Sequence, residues 1–215
     1  MTERFTETLR QQSEPDWSAT VQHRFVQQLC SGTLDDQVMG RYLIQDHRFL
    51  DSFLTLLGAA IATADSFESR LRLGRFAGMI SGEENTYFLR CFEALGITEQ
   101  QRQDPPDAPA TAGFKAIMRE AAATRSYAAA LAVLNVAEWS YLDWASRAQQ
   151  PLPPRFVHAE WITLHDNPFF RDFVAFLRSE LDRVGPAEQT VTRDFFLRAV
   201  RLEREFFDAA YATEA

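Results

Sequence analysis

The chain has 215 residues, enough to bury one substantial hydrophobic core. Its formal net charge of −8 argues against binding of a nucleic-acid backbone, and its basic residues form no cluster in the sequence. Hydrophobic residues make up 46% and charged residues 24%, as in ordinary globular proteins, and the 18 Phe residues indicate an aromatic-rich interior or subunit interface.

The sequence carries no signal for secretion or membrane insertion. Its first 17 residues are polar and acidic, unlike a signal peptide, and no apolar run reaches the length of a membrane span. Cys30 and Cys91 lie in separate helical segments without a partner motif, which is typical of a reducing compartment. These features predict a cytoplasmic protein without membrane contact.

Three helices are predicted in the first half of the chain, after a polar N-terminal tail at residues 1–15. Their predicted bounds are Asp16 to Ser31, Thr33 to about Ala64 and Ser66 to about Leu95. Each begins at a residue that is preferred as an N-cap, and Asp36 occupies the capping-box position of the second. Gly32 and Gly96 follow the first and third helices, where a left-handed C-cap favours glycine.

Three glycines lie four residues apart within the third predicted helix. Gly74, Gly78 and Gly82 predict either the close approach of another helix along one face or a break near the sequence SGEE at residues 81–84.

Two proline-containing segments divide the second half of the chain. Residues 98–111 are predicted to be a linker because two consecutive prolines prevent a helix, and residues 149–154 interrupt the chain again. The predicted helices are Thr111 to Thr124, Ser126 to Ala148, Pro154 to Val184 with a kink at Asn167-Pro168, and Pro186 to Ala212. The sequence therefore predicts an all-α fold, a single-domain bundle of seven or eight helices over residues 1–215.

Several helical stretches contain an acidic residue among large apolar neighbours. Asp46 lies in YLIQDHRFL, Glu138 in AVLNVAEWSYLDWA and Glu203 in RLEREFFDAAY. A helix would place Glu138 and Tyr141 one turn apart on the same side. A buried carboxylate is costly unless another group pairs with it or its pKa rises, so such positions are candidates for a functional site.

Not every acidic residue of this kind needs a functional explanation. The ordinary position of an acid beside aromatic residues is the solvent edge of an amphipathic helix. We expect that position for Glu160, which has no apolar stripe around it, and for Glu205, which is flanked by arginines.

The histidines do not predict a metal site. No Glu-x-x-His pair occurs, and no two of the four histidines have the spacing of metal ligands on one helix face. For His165 two interpretations remain open, a hydrogen bond at a helix bend before Pro168 and a role in a site. His47 is expected at the surface. Nucleophile and phosphate-binding motifs are absent from the sequence, so no metal and no cofactor are predicted.

The order and spacing of several segments resemble the TenA family, the thiaminase II group. These segments are YLIQDHRFL, SGEENTYF with EALGI, PATAGF, AEWSYLDWA, a tryptophan-isoleucine segment and a final E-x-x-F-F, within about Trp17 to Tyr211. The resemblance implies the all-helical fold shared with haem oxygenase and the pyrroloquinoline-quinone synthase. It also implies a 4-amino-5-substituted-2-methylpyrimidine substrate, a breakdown product of thiamin, and a homo-oligomer, either a dimer or a tetramer.

The resemblance also implies roles for individual residues. Asp46 matches the aspartate that binds the ring nitrogen and the exocyclic amine of the pyrimidine, and Glu203 matches an acid/base glutamate. Tyr141 matches the tyrosine one helical turn after the family's nucleophile. Substrate contacts are also implied for Phe49, Phe114 and His165, which stand where the family often has tyrosines.

The clearest departure from the family concerns the nucleophile. Where thiaminase-type members have a cysteine, this chain has Ala137, with Glu138 beside it. The chain thus resembles the glutamate-type branch, which implies a hydrolase of thiamin salvage acting on an aminopyrimidine or formylaminopyrimidine through carboxylate-assisted attack by water. Two alternatives stay open: a non-catalytic pyrimidine-binding or regulatory protein, and an oxidase or di-iron oxygenase on the same scaffold.

Overall fold

Helices form all the regular structure in the computed structural model, which describes residues 3–212. The α-helices of this range are α1 (Phe5–Gln12), α2 (Asp16–Val21), α3 (Arg24–Ser31), α4 (Asp36–Thr63), α5 (Phe67–Met79), α6 (Asn85–Ala94), α7 (Glu99–Gln103), α8 (Pro109–Ala123), α9 (Tyr127–Ala145), α10 (Phe156–Leu164), α11 (Pro168–Val184) and α12 (Gln189–Ala209). A π turn (Ile80–Glu84) joins α5 to α6, and a 3-10 turn (Gly185–Glu188) precedes α12. The predicted all-α fold is confirmed.

Helix α9 lies at the centre of the bundle. All of its 19 residues except Leu142 and Asp143 are buried, and α2, α4, α8, α11 and α12 pack around it. Its first half is rich in alanine, which lets neighbouring helices approach from every side. A helix that is apolar around its whole circumference is stable only inside a core, and α9 satisfies this condition.

The N-terminal tail predicted at residues 1–15 is instead partly helical. Helix α1 buries Leu9 and Thr6 and packs against α11. The Thr6 amide donates a hydrogen bond to Asp182 at 2.8 Å. The polar composition of this segment reflects its exposed face, while Leu9 and the partly buried Phe5 on the other face attach it to the bundle.

One predicted cap and one predicted helix in this half of the chain need correction. The N-cap of α4 is Asp35, whose carboxylate accepts a hydrogen bond from the Gln37 amide at 2.8 Å, rather than Thr33. The first predicted helix is divided at His23, whose Nδ1 accepts a hydrogen bond from the Phe25 amide and so caps α3. Both side chains accept a hydrogen bond from a backbone amide that is otherwise free at a helix N-terminus. Hydrophobic periodicity alone does not show which residue will do this.

The third predicted helix is continuous from α5 to α6. The π turn lies at SGEE, where the sequence predicted a break as one of two possibilities. The close helix approach expected at Gly74, Gly78 and Gly82 is wrong, since no heavy atom lies within 4 Å of a Cβ placed at any of them. Close approach occurs instead at Gly113 in α8, where a Cβ would lie 2.6 Å from Leu202 of α12.

The two proline-containing interruptions are present, but the first contains a short helix. Helix α7 lies within the predicted linker 98–111 and begins with a capping box between Thr98 and Gln101. The helix predicted from Pro154 to Val184 with a kink is instead two helices, α10 and α11, separated at residues 165–167. Asn167 accepts a hydrogen bond from the Phe170 amide at 3.0 Å and so caps α11, which Pro168 opens. Across residues 3–212, no helix has the length and apolar character needed to cross a membrane.

Candidate active site

A small cavity of about 30 Å³ lies between the central helix α9 and the helices around it. Its lining residues come from α4, the π turn, α9, α10, the turn after α10, and α12. They are Asp46, Phe49, Leu50, Phe53, Glu84, Ala137, Glu138, Tyr141, Trp161, His165 and Glu203. The mixture of aromatic and polar groups in its lining suits the recognition of a small molecule.

Four carboxyl groups face this cavity, and no Lys or Arg is among its lining residues. The exposed fractions of Asp46, Glu138 and Glu203 are 2%, 6% and 4%. Asp46 Oδ2 and Glu203 Oε2 are buried without a hydrogen-bond partner. No protein group in the described part of the chain pairs with these two oxygens, so they are free to form hydrogen bonds with a molecule in the cavity.

The pKa values of these acids are raised. Burial, followed by the charge of Glu84, raises the pKa of Asp46 well above its usual range. Burial raises the pKa of Glu203 and of Glu138 well above the usual range, and the charges of the other carboxylates add to the effect. Because neighbouring acids influence one another, the cavity titrates as a group and holds protons at neutral pH.

Of the four carboxyl groups that line the cavity, Glu84 is the one that the sequence analysis did not predict. It is the last residue of the π turn, is partly buried, and burial raises the pKa of its carboxyl group to about 8. The π geometry widens one helical turn, a feature that is frequent at functional sites. The only sign of it in the sequence is SGEE at residues 81–84, which has a glycine and two acidic residues inside a predicted helix.

A pair of buried tyrosines supports the same cavity. The hydroxyl groups of Tyr141, which lines the cavity, and Tyr42 lie 2.7 Å apart. Burial and the nearby carboxylates raise the pKa of both hydroxyls well above the usual range, so both remain protonated. Tyr42 lies one turn before Asp46 on α4. This spacing is the only feature of the sequence that connects Tyr42 with the site.

His165 combines the two interpretations left open by the sequence. It follows α10 at the bend before Pro168, and its Nδ1 lies 2.8 Å from the carbonyl oxygen of Trp161. Burial lowers the pKa of His165 to about 4, so its ring is neutral. The same ring lines the cavity. His47, expected at the surface, is partly buried and lies 3.0 Å from Asn85 Oδ1.

The two phenylalanines with predicted substrate contacts occupy different positions. Phe49 lines the cavity, whereas Phe114 does not. Phe114 lies behind Phe49, with ring centroids 6.1 Å apart, and also contacts Phe206. Phe114 therefore supports Phe49 from behind, since α8 packs against α4.

Glu160 and Glu205 occupy the positions expected for solvent-edge acids. Glu160 forms an ion pair with Arg90, and Glu205 lies 4.0 Å from Arg204. Within residues 3–212, no group of three or more His, Cys, Asp or Glu has an arrangement that could hold a metal ion.

The raised acids predict a pH-dependent stability. A group whose folded-state pKa is raised keeps its proton when folded and releases it on unfolding, so the free energy of unfolding falls as pH rises toward the folded-state pKa. For Glu84 the fall extends to about pH 8. Histidines with lowered pKa values act in the opposite direction, but below pH 6.5.

We therefore expect chemical denaturation to show stability decreasing between pH 6.5 and 8, by at most about 1.4 kcal/mol per pH unit for one group. Glu84→Gln should make this slope shallower, without abolishing it, since three other buried acids remain. Glu83→Gln, at the exposed neighbouring position, is the control and should leave the slope unchanged. Equal slopes in the wild type and Glu84→Gln would contradict the expectation.

Comparison with known proteins identifies relatives over almost the whole chain. A family model described as the TENA/THI-4/PQQC family matches residues 10–213. An aminopyrimidine aminohydrolase of Halalkalibacterium halodurans is 23% identical over 96% of this chain and 95% of the relative. An aminopyrimidine aminohydrolase of Bacillus subtilis is 22% identical over 98% of this chain and 91% of the relative.

Solved structures show the same fold. A TenA homologue from P. horikoshii OT3 superposes with a TM-score of 0.86 and 23% identity, covering 97% of this chain and 99% of the homologue. A TenA homologue from Pyrococcus furiosus gives a TM-score of 0.84 with 19% identity, covering 96% and 100%.

Proposed function

Because this chain belongs to the TENA/THI-4/PQQC family, we propose that it is a thiamin-salvage hydrolase that cleaves a C–N bond on the 5-substituent of a 4-amino-2-methylpyrimidine. The observation that carries the proposal is the meeting of buried carboxyl groups from α4, α9 and α12 around one cavity. Relatives named aminopyrimidine aminohydrolase support the reaction class.

Asp46 is the proposed anchor of the pyrimidine. Its Oδ2 lacks a hydrogen-bond partner in the structure. A protonated Asp46 can donate its proton to the ring nitrogen with one oxygen and accept an N–H of the adjacent exocyclic amine with the other. If that proton moves to the ring, the resulting carboxylate accepts two parallel N–H bonds from the same two groups. Phe49 lines the cavity beside it and supplies an aromatic surface for the ring.

Glu138 and Glu203 are the proposed acid/base pair. One accepts a proton from the attacking water and the other donates a proton to the departing nitrogen. For a formylaminomethyl substrate, water adds to the formyl carbon and the C–N bond breaks, giving the aminomethylpyrimidine and formate. For the aminomethyl substrate, water replaces the amine at the methylene carbon, giving the hydroxymethylpyrimidine and ammonium. Carboxyl groups with raised pKa values are suited to both proton transfers near neutral pH.

Ala137 supports hydrolysis in preference to covalent displacement. It lines the cavity beside Glu138, at the position where the thiaminase-type sequences have cysteine. A methyl group cannot attack carbon, so this position has no equivalent of the cysteine that forms the covalent intermediate, which favours attack by water. The same residues support our proposal that the chain belongs to the glutamate-type branch of the family.

The proposal is tested by incubating the purified protein with three compounds, the aminomethylpyrimidine, the formylaminomethylpyrimidine and thiamin. We expect release of ammonia or formate from at least one of the first two compounds and no release of the thiazole from thiamin. Tight binding without any product would favour a non-catalytic pyrimidine-binding protein. Turnover that depends on added iron would favour an oxygenase on this scaffold, and either result would overturn the proposed hydrolase.

A further inference from the structure

His165 has a fixed tautomer. Its Nδ1 lies 2.8 Å from the main-chain carbonyl oxygen of Trp161, one helical turn earlier. A carbonyl oxygen only accepts hydrogen bonds, so Nδ1 must carry the ring proton. In a neutral imidazole the other nitrogen, Nε2, is then an acceptor with a free lone pair.

The surroundings hold the ring in one orientation. Tyr141, Trp161 and Phe170 pack against it, with ring centroids 4.7, 4.3 and 5.2 Å away. The exposed fraction of the residue is only 6%. Packing on these sides and the hydrogen bond at Nδ1 together leave little freedom for the ring to rotate.

The acceptor nitrogen is not fully buried, and its residue lines the cavity. His165 lines the cavity, whereas both ring nitrogens of His158, two turns earlier, are buried in the protein without partners. Nε2 of His165, by contrast, is not one of the fully buried atoms without a partner. The carboxyl groups nearby can donate or accept hydrogen bonds depending on their protons, but Nε2 can only accept.

We propose that His165 determines substrate specificity by accepting a hydrogen bond from an N–H or O–H group on the 5-substituent of the pyrimidine. The inference rests on the proposed function, and it narrows the substrate class to compounds whose departing nitrogen carries hydrogen, namely amines and secondary amides. Thiamin lies outside that class, because its departing nitrogen belongs to a thiazolium ring and has no hydrogen. His165 acts as a positioning residue and takes no part in bond breaking.

The test uses two ligands that are not hydrolysed and differ by a single hydroxyl group. These are 4-amino-5-hydroxymethyl-2-methylpyrimidine, which has an O–H donor, and 4-amino-2,5-dimethylpyrimidine, which has none. His165→Phe removes the acceptor and keeps an aromatic ring in place. We expect its affinity for the hydroxymethyl ligand to fall about 10-fold and its affinity for the dimethyl ligand to change less than 2-fold, the effect of losing one hydrogen bond.

His158→Phe is the matched control, since it changes a buried histidine of the same segment that does not line the cavity. It should leave the ratio of the two affinities unchanged. Equal losses for both ligands in His165→Phe, or no loss for either, would overturn the specificity role while leaving the proposed function intact. Failure of the wild-type chain to bind either pyrimidine would overturn the proposed function, and this inference with it.

A second measurement does not depend on the folding of any variant. In the wild-type protein labelled with ¹⁵N-histidine, the His165 signals should show a protonated Nδ1 and an unprotonated Nε2. The Nε2 signal should shift when the hydroxymethyl ligand is added and remain in place with the dimethyl ligand. A proton on Nε2 in the free protein, or the same response to both ligands, would contradict the proposal.

Discussion

The Glu203→Gln variant is expected to lose hydrolytic turnover by a factor of about 10² to 10⁴, the range found for the loss of a general acid or base. The amide has nearly the same shape as the carboxyl group but cannot exchange a proton. The variant should fold normally, because the change removes an acid whose burial raises its pKa and which has no hydrogen-bond partner on Oε2. Steady-state kinetics and thermal unfolding measure the two effects separately.

Glu205→Gln provides the matched control on the same helix. Glu205 is close to Glu203 in sequence, but it lies near Arg204 on the outer side of α12, and 44% of its side chain is exposed. Its replacement should leave turnover within about 2-fold of the wild type. A Glu203→Gln protein that keeps full activity would remove Glu203 from the mechanism.

Glu138→Gln should reduce turnover by a similar factor of about 10² or more, with a smaller change in the KM for the pyrimidine. The reason is that Glu138 is proposed to act on the water or the departing nitrogen, while Asp46 binds the ring. If Glu138 and Glu203 work as a pair, the double variant should be little worse than either single variant, because residues that act as a unit are not additive. Single-turnover kinetics of all three proteins tests this.

Ser140→Ala is the corresponding control on α9. Ser140 is also buried, its hydroxyl has no hydrogen-bond partner, and it does not line the cavity. It therefore reports any general effect of altering the central helix. Loss of activity in Ser140→Ala equal to that in Glu138→Gln would show that α9 is merely sensitive to substitution, and would contradict a chemical role for Glu138.

The fold was predictable because the signals that end and begin helices are local. Gly32 and Gly96 have φ values of 72° and 67°, which favour glycine, and Ser66 caps α5 through its side chain as expected. The wrong assignment of Thr33 shows the limit of such reasoning. Thr33 and Asp35 are both good N-caps, and which of them caps the helix depends on where the preceding chain leaves α3.

Part of the candidate site was also predictable, since a carboxyl group inside an apolar helix is conspicuous. Asp46, Glu138 and Glu203 were selected in this way, and the structure brings them to one cavity. Glu84 lies among polar residues, and only the π turn directs it inward, a backbone feature that helical periodicity does not reveal. The position of Phe114 behind Phe49 depends on how α8 packs against α4, which is a tertiary property.

The burial of α9 has a consequence for how the protein loses activity. Functional groups usually lie on loops that open before the core does, but Glu138 and Tyr141 belong to a helix whose sides are almost entirely covered. Local opening of such a helix requires its neighbours to separate, which is global unfolding. The geometry of these two residues should therefore persist up to the melting transition, so that heat inactivation and cooperative denaturation become the same event.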